Sequence, residues 1–322
     1  MKRKSIVTLK ILVSLGILAI VFSRIDLQQV WTQVSYLSLP FVAFALLYYT
    51  VCQLLSCWRW QIVLRATGHF VPIRSLLASY FAGMFVSIFL PGSFGGDVYR
   101  SYQIAQRIKD TEVAIASVFL ERFTGLAAVF ALALIGLPPA FKLLGHWDII
   151  LLFITCAAVI SGGTILIASP RLLIWAEPWL HKLRLKSLAS RIAKIQVILR
   201  KFAQHRQALA MAIGMSLVIQ LAVIFYQYLL AQQLKIPISY LELLIFTPIS
   251  IVVTLLPISF GGLGVQEGLW VYLFSRIGIG AEQAITLSLT FTLLGWILSL
   301  PGSVILLLDS AGFNKLRQEE SK

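Results

Sequence analysis

Long apolar runs separated by short polar stretches dominate the chain, at about 6–23, 39–58, 111–137, 148–168, 207–233 and 281–308. Each approaches the roughly 20 residues a helix needs to cross a hydrocarbon core of about 30 Å. Lipid admits only helices or closed barrels, because backbone groups must be satisfied within the protein, and these runs lack the alternation of barrel strands. The pattern predicts an all-α polytopic membrane protein with a single membrane domain over residues 1–322.

Two further apolar regions, 75–99 and 240–277, are broken in the middle by Leu90-Pro91-Gly92-Ser93-Phe94-Gly95-Gly96 and Leu256-Pro257-Ile258-Ser259-Phe260-Gly261-Gly262. Irregular backbone at membrane depth is tolerated only inside protein or along a watery cavity, so both regions read as re-entrant or broken-helix hairpins. The two motifs stand 166 residues apart, and the same offset lays 41–58 on 207–224, 75–99 on 241–265, and 111–137 on 277–303. The helix at 148–168 then matches the first helix. Repeat one covers about 6–137 and repeat two about 148–308, each reading helix, helix, hairpin, helix. Three crossings per repeat turn the second copy upside down, giving two inverted repeats and six full spans.

Charge supports this topology. With both broken regions returning to their own side, 22 of the 27 Lys and Arg residues fall on the cytoplasmic side, nine of them in 171–206. Arg24, Lys142, Lys235 and Arg276 fall outside, and Arg122 lies within a span. Making 75–93 a full span instead would put the basic 171–206 segment outside, against the positive-inside rule. For 240–277 charge does not choose between a shallow hairpin and two tilted full spans, since both return to one side. The net charge of +14 thus needs no nucleic-acid partner. The expected location is the cell membrane, inner or cytoplasmic, with both termini cytoplasmic and the segment starting at Met1 retained as a first helix rather than cleaved. The cytoplasmic loop at about 169–206 carries Leu188, Ile192, Ile195, Leu199 and Phe202 at spacings of three and four, which predicts a basic amphipathic surface helix whose charge either attracts anionic headgroups or simply holds the topology.

Cys52, Cys57 and Cys156 lie within apolar segments and form neither a disulfide framework nor a metal pattern. His69, His146, His181 and His205 are scattered, and no close acidic cluster offers to hold a metal for phosphoryl or glycosyl transfer. The sequence therefore predicts no cofactor, no metal and no enzyme. Candidate chemistry sits elsewhere. Gly95-Gly96 and Gly261-Gly262 at the two tips either bare N–H groups to an anion or simply permit close packing. Asp97 and Arg100 are three apart and share a helix face, as an ion pair does. Glu121 and Arg122 lie about 15 Å into a span, at a cost of roughly 2.5–3.5 kcal/mol each, so both need a partner or a cavity. Glu267 follows the second tip and is expected to complement an arginine. Trp58-Arg59-Trp60 reads as an interfacial anchor belt, or as a substrate contact through Arg59.

The sequences G-G-D-x-x-R at Gly95 to Arg100, E-R-x-x-G-L at Glu121 to Leu126 and G-G-L-G-x-x-E-G at Gly261 to Gly268 resemble a known family. They are similar to the transmembrane flippase domain of the lysylphosphatidylglycerol synthases, the multiple peptide resistance factors, and to its free-standing relatives, over nearly the whole chain. That resemblance implies movement of a lipid between leaflets; some free-standing members accompany isoprenoid-lipid or glycolipid pathways. The chain is expected to be a free-standing member without the soluble aminoacyl-transferase domain of the full synthases, so neither synthase activity nor a lysyl-lipid substrate is carried over. The expectation is a flippase for a phosphate-bearing phospho-, isoprenoid- or glycolipid, with Arg59, Arg100 and Arg122 meeting phosphate and Asp97, Glu121 and Glu267 holding them or meeting a positive headgroup. The alternative is a membrane scaffold for a lipid-modifying enzyme. Expected partners are membrane lipids with phosphate headgroups, such an enzyme, and a second copy of the chain.

Overall fold

A computed structural model describes residue 32 and residues 35–89, 95–144, 186–254 and 264–308. Nine α-helices make up these residues: α1 (Leu39–Ala66), α2 (Ile73–Phe89), α3 (Gly95–Ile108), α4 (Thr111–Leu144), α5 (Lys186–Gln204), α6 (Arg206–Gln233), α7 (Tyr240–Thr254), α8 (Val265–Ser275) and α9 (Ala281–Ser299). No strand occurs among the described residues. Four helical stretches are long and apolar enough to cross a membrane: Leu39–Ala66, Thr111–Leu132, Arg206–Gln233 and Ala281–Leu308. They coincide with four of the six spans expected from the sequence. The other two, at 6–23 and 148–168, lie outside the described residues, as do Gly261 and Gly262.

Local chemistry sets the helix ends. Ser38 accepts from the Phe41 N–H and Pro40 opens the first turn of α1, where its missing N–H costs nothing. Asp110 accepts from the Val113 N–H at 2.9 Å and starts α4. Ser239 and Glu242 exchange bonds with each other's backbone at the start of α7, a reciprocal capping box.

Both broken regions return on themselves. In the first, Ser87 Oγ accepts from Gly96 N at 3.1 Å and Arg107 donates to Ser75 Oγ at 3.0 Å, so α3 runs back along α2. In the second, Trp270 Nε1 donates to Ser250 Oγ at 2.9 Å and the Phe246 and Phe274 rings lie 6.0 Å apart, so α8 runs back along α7. Helix α1 meets α6 in the same antiparallel sense. Arg59 bonds Ser216, while Tyr49, ten residues earlier, stacks on Tyr226, ten residues later.

Packing among α1–α4 recurs among α6–α9. The pairs α1–α2, α2–α3, α3–α4 and α1–α4 have the counterparts α6–α7, α7–α8, α8–α9 and α6–α9. Across the halves, α4 packs on α6 and α7, and α9 packs on α1 and α2. The α9–α2 approach is backbone to backbone, since a Cβ on Gly302 would stand 2.1 Å from the Phe81 carbonyl oxygen.

Helix α5 carries the apolar stripe expected over 188–202, and its described part packs on protein: Leu199 and Phe202 are buried against Val63, Leu120 and Ala212, with Ile195 packed alongside. Apolar side chains at that spacing satisfy a protein surface as well as a membrane, and here α4 and α6 supply it.

Candidate functional site

Charged side chains scattered along the sequence converge where α1, α2, α3, α4 and α6 meet. Glu121 of α4 sits at the centre. One carboxylate oxygen pairs with Arg59 of α1 and accepts from the Tyr80 hydroxyl at 2.8 Å; the other accepts from Arg100 of α3 at 3.2 Å. Arg59 also donates to Ser216 of α6 at 2.7 Å. Arg100 reaches Asp97 at 3.3 Å and lies between two rings, 4.2 Å from the Trp60 centroid and 3.7 Å from that of Tyr80. Those faces favour a cation and exclude water from it. Trp60 is fixed in turn by its Nε1 donating to Ser117 Oγ at 3.1 Å.

Arg122 belongs to the same network through Asp97, which it grips in a fork: Nε to Oδ2 at 2.7 Å and Nη2 to Oδ1 at 2.9 Å. Its position differs from the others. The Arg122 side chain is 51% exposed, whereas that of Glu121 is 2% exposed. Among the described residues three guanidinium groups share two carboxylates, which leaves the cluster one surplus positive charge. Arg122 is its accessible member, and its Nη1 group makes no bond within the described residues.

Small residues clear the space for these long side chains. A Cβ on Gly83 would stand 2.8 Å from Arg100 Cγ, and one on Gly125 would stand 3.3 Å from Arg59 Nη1. Gly125 is the glycine of the E-R-x-x-G-L motif, and its role here is to seat an arginine from another helix. The model of the family described as lysylphosphatidylglycerol synthase TM region matches residues 7–302. The chain belongs to that family. Neither a curated protein nor a solved structure matches the chain.

Within this member of the family, the structure joins Arg59, Asp97, Arg100, Glu121 and Arg122 and modifies how sequence reasoning paired them. Glu121 and Arg122 are neighbours in sequence yet do not pair, because successive helical residues point about 100° apart. Arg59 and Trp60 are not an interfacial belt: both are buried, and only Trp58 of the three is exposed. Glu267 meets no arginine among the described residues. It is buried, with Oε2 accepting from the Gly264 N–H at 2.6 Å and Oε1 from the Ser288 hydroxyl at 3.1 Å. Gln266 donates to the same Ser288 at 3.2 Å. By the 166-residue offset Ser288 stands where Arg122 does and Gln266 where Arg100 does, so the second half carries a less charged version of the first.

Gly95 opens α3, but the N–H of Gly96 is already occupied by Ser87 Oγ. A Cβ there would lie 2.3 Å from the Gly83 carbonyl oxygen, which favours close packing over anion capture at this position. Gly96→Val is therefore expected to force α3 away from α2 and cost about 1–3 kcal/mol of stability, as overpacking does. Thermal melting of the purified variant checks this; melting at the wild-type temperature would contradict it. Tyr80, Ser216 and Ser117 escaped the sequence reading. Each is an ordinary residue for an apolar span, and only the packing of helices reveals its partner.

Proposed function

We propose that the chain is an inverted-repeat translocase of the cell membrane that moves a phosphate-bearing lipid between leaflets. The carrying observation is the surplus positive charge, with Arg122 half exposed about 16 Å along a membrane-spanning helix. An unneutralised charge at such depth is costly, and a phosphate oxyanion meeting the free face of the guanidinium removes that cost with charge-assisted hydrogen bonds. The arginine fork matches phosphate geometry better than a lysine ammonium would. The lipid tails stay in the bilayer while the headgroup takes the polar path.

The antiparallel contact of α1 with α6, segments laid on each other by the 166-residue offset, supports the inverted repeat. So does the recurrence of the packing pattern in both halves. Translocation sites of inverted-repeat transporters lie at the junction of the halves beside discontinuous segments, which is where α1, α3, α4 and α6 bring the cluster. In this reading the N-terminal end of α4 and the C-terminal end of α1 face the cytoplasm.

The test is exchange by purified protein in liposomes carrying a fluorescent phosphatidylglycerol in both leaflets. Quenching from outside should remove inner-leaflet signal faster than in protein-free vesicles. Protein that binds the lipid but leaves inner-leaflet signal untouched would instead fit a scaffold for a lipid-modifying enzyme.

A further inference from the structure

The α1–α6 seam continues past the arginine cluster. Helix α1 carries Tyr49 ten residues before Arg59, and α6 carries Tyr226 ten residues after Ser216, so both stand about 15 Å beyond the cluster. Ten residues is about 2.8 helical turns, so each tyrosine stands roughly 80° round its helix from its charged or polar predecessor, and the twist of the two helices keeps both pairs in the seam. The two rings stack with centroids 5.3 Å apart and planes 8° from parallel. Phe291 of α9 closes the box, 5.9 Å from Tyr49 and 5.8 Å from Tyr226. Tyr48 stacks on Tyr226 from the other neighbour position at 5.8 Å, and its own hydroxyl is satisfied by the Ala222 carbonyl at 3.0 Å.

Tyr226 is the exception in this box. It is 1% exposed, and its hydroxyl has no hydrogen-bond partner among the described residues. A buried orphan hydroxyl is unfavourable, and phenylalanine would fill the same box without the defect. Its neighbours are polar as well as aromatic: Tyr49 and Gln53 are one turn apart on α1, and Arg122 lies within electrostatic reach of Tyr49. Beyond the box the ring contacts continue through Phe225 to Tyr228 and Tyr240, toward the far ends of the spans.

From these contacts we infer that Tyr49, Gln53 and Tyr226 form a second headgroup station, which receives the lipid phosphate on the outer side of Arg122. This rests on the translocase reading above. A phosphate oxygen is an acceptor only, and the station offers donors: two phenol O–H groups and one amide. The stations differ in strength. The first holds an anion with a full positive charge, the second with neutral donors, so a headgroup is bound weakly on its way to or from the outer leaflet.

The station is tested by local protection. In the full chain with its native cysteines replaced, Gly295→Cys, whose Cβ would stand 4.0 Å from Tyr49 Cε1, is reacted with a small methanethiosulfonate reagent in detergent, with or without dihexanoyl phosphatidic acid. The phosphatidic acid should slow the reaction severalfold, dihexanoylglycerol should not, and Tyr226→Phe should abolish the protection without lowering the melting temperature. Protection that survives Tyr226→Phe, or no protection at all, would overturn the station and leave a hydroxyl that merely meets water. A Tyr226→Phe protein melting well below the parent would overturn it too, by making the hydroxyl structural. Tyr226-dependent protection in a protein that exchanges no lipid would keep the station and remove the translocase reading.

Discussion

Glu121→Ala is expected to be the most destabilising single substitution in the charge cluster, by about 3–5 kcal/mol, the range for removing one partner of a buried ion pair. Glu121 is shared by Arg59 and Arg100, which come from different helices and are both nearly inaccessible. Alanine leaves these guanidiniums facing each other with only Asp97 and Ser216 in reach, and the cluster's surplus rises from one positive charge to two. It also orphans the Tyr80 hydroxyl. The attachment of α1 and α3 to α4 weakens together with the seat of Arg100. Melting of the purified protein in detergent measures the effect. Adding Arg59→Met to Glu121→Ala should recover part of the loss, since it withdraws one stranded cation. A single mutant that melts like the wild type would show that solvent reaches the cluster and screens it.

Hydrophobic length placed the four described spans and located both returning segments, because crossing lipid imposes a run length and a break in that run is visible as Pro and Gly. Depth along a helix likewise marked Glu121 and Arg122 as costly, and the three-residue spacing joined Asp97 to Arg100. What stayed hidden was the third dimension. Arg59 lies beside two tryptophans, a composition equally suited to an interface, and only the approach of α4 and α6 makes it a buried partner of Glu121 and Ser216. Gly83 carried no sequence signal, and the motif that holds Gly125 did not show its role, since both act by the absence of a side chain opposite an arginine from elsewhere. Position after the second tip suggested an arginine partner for Glu267, whereas the described groups that reach it are the Gly264 backbone and Ser288.

Arg122→Gln should separate fold from function. Unlike Glu121, Arg122 can be removed without stranding a charge: Asp97 keeps Arg100, and the remaining two arginines balance two carboxylates. The lost ion pair leaves Asp97 still bonded to Arg100 and removes the cluster's surplus charge, so melting should change far less than in Glu121→Ala. Glutamine retains a hydrogen-bonding amide but not the surplus charge. A hydrogen bond to a charged group contributes about 1.5–3 kcal/mol, so losing the phosphate contact should slow lipid exchange roughly ten- to hundredfold. The deciding measurement is the exchange rate of fluorescent phosphatidylglycerol in liposomes holding equal amounts of folded wild-type or Arg122→Gln protein. The account predicts rapid exchange by the wild type and a loss of that size in the variant, with far less change in melting temperature than Glu121→Ala causes. Equal rates in the two preparations would contradict it.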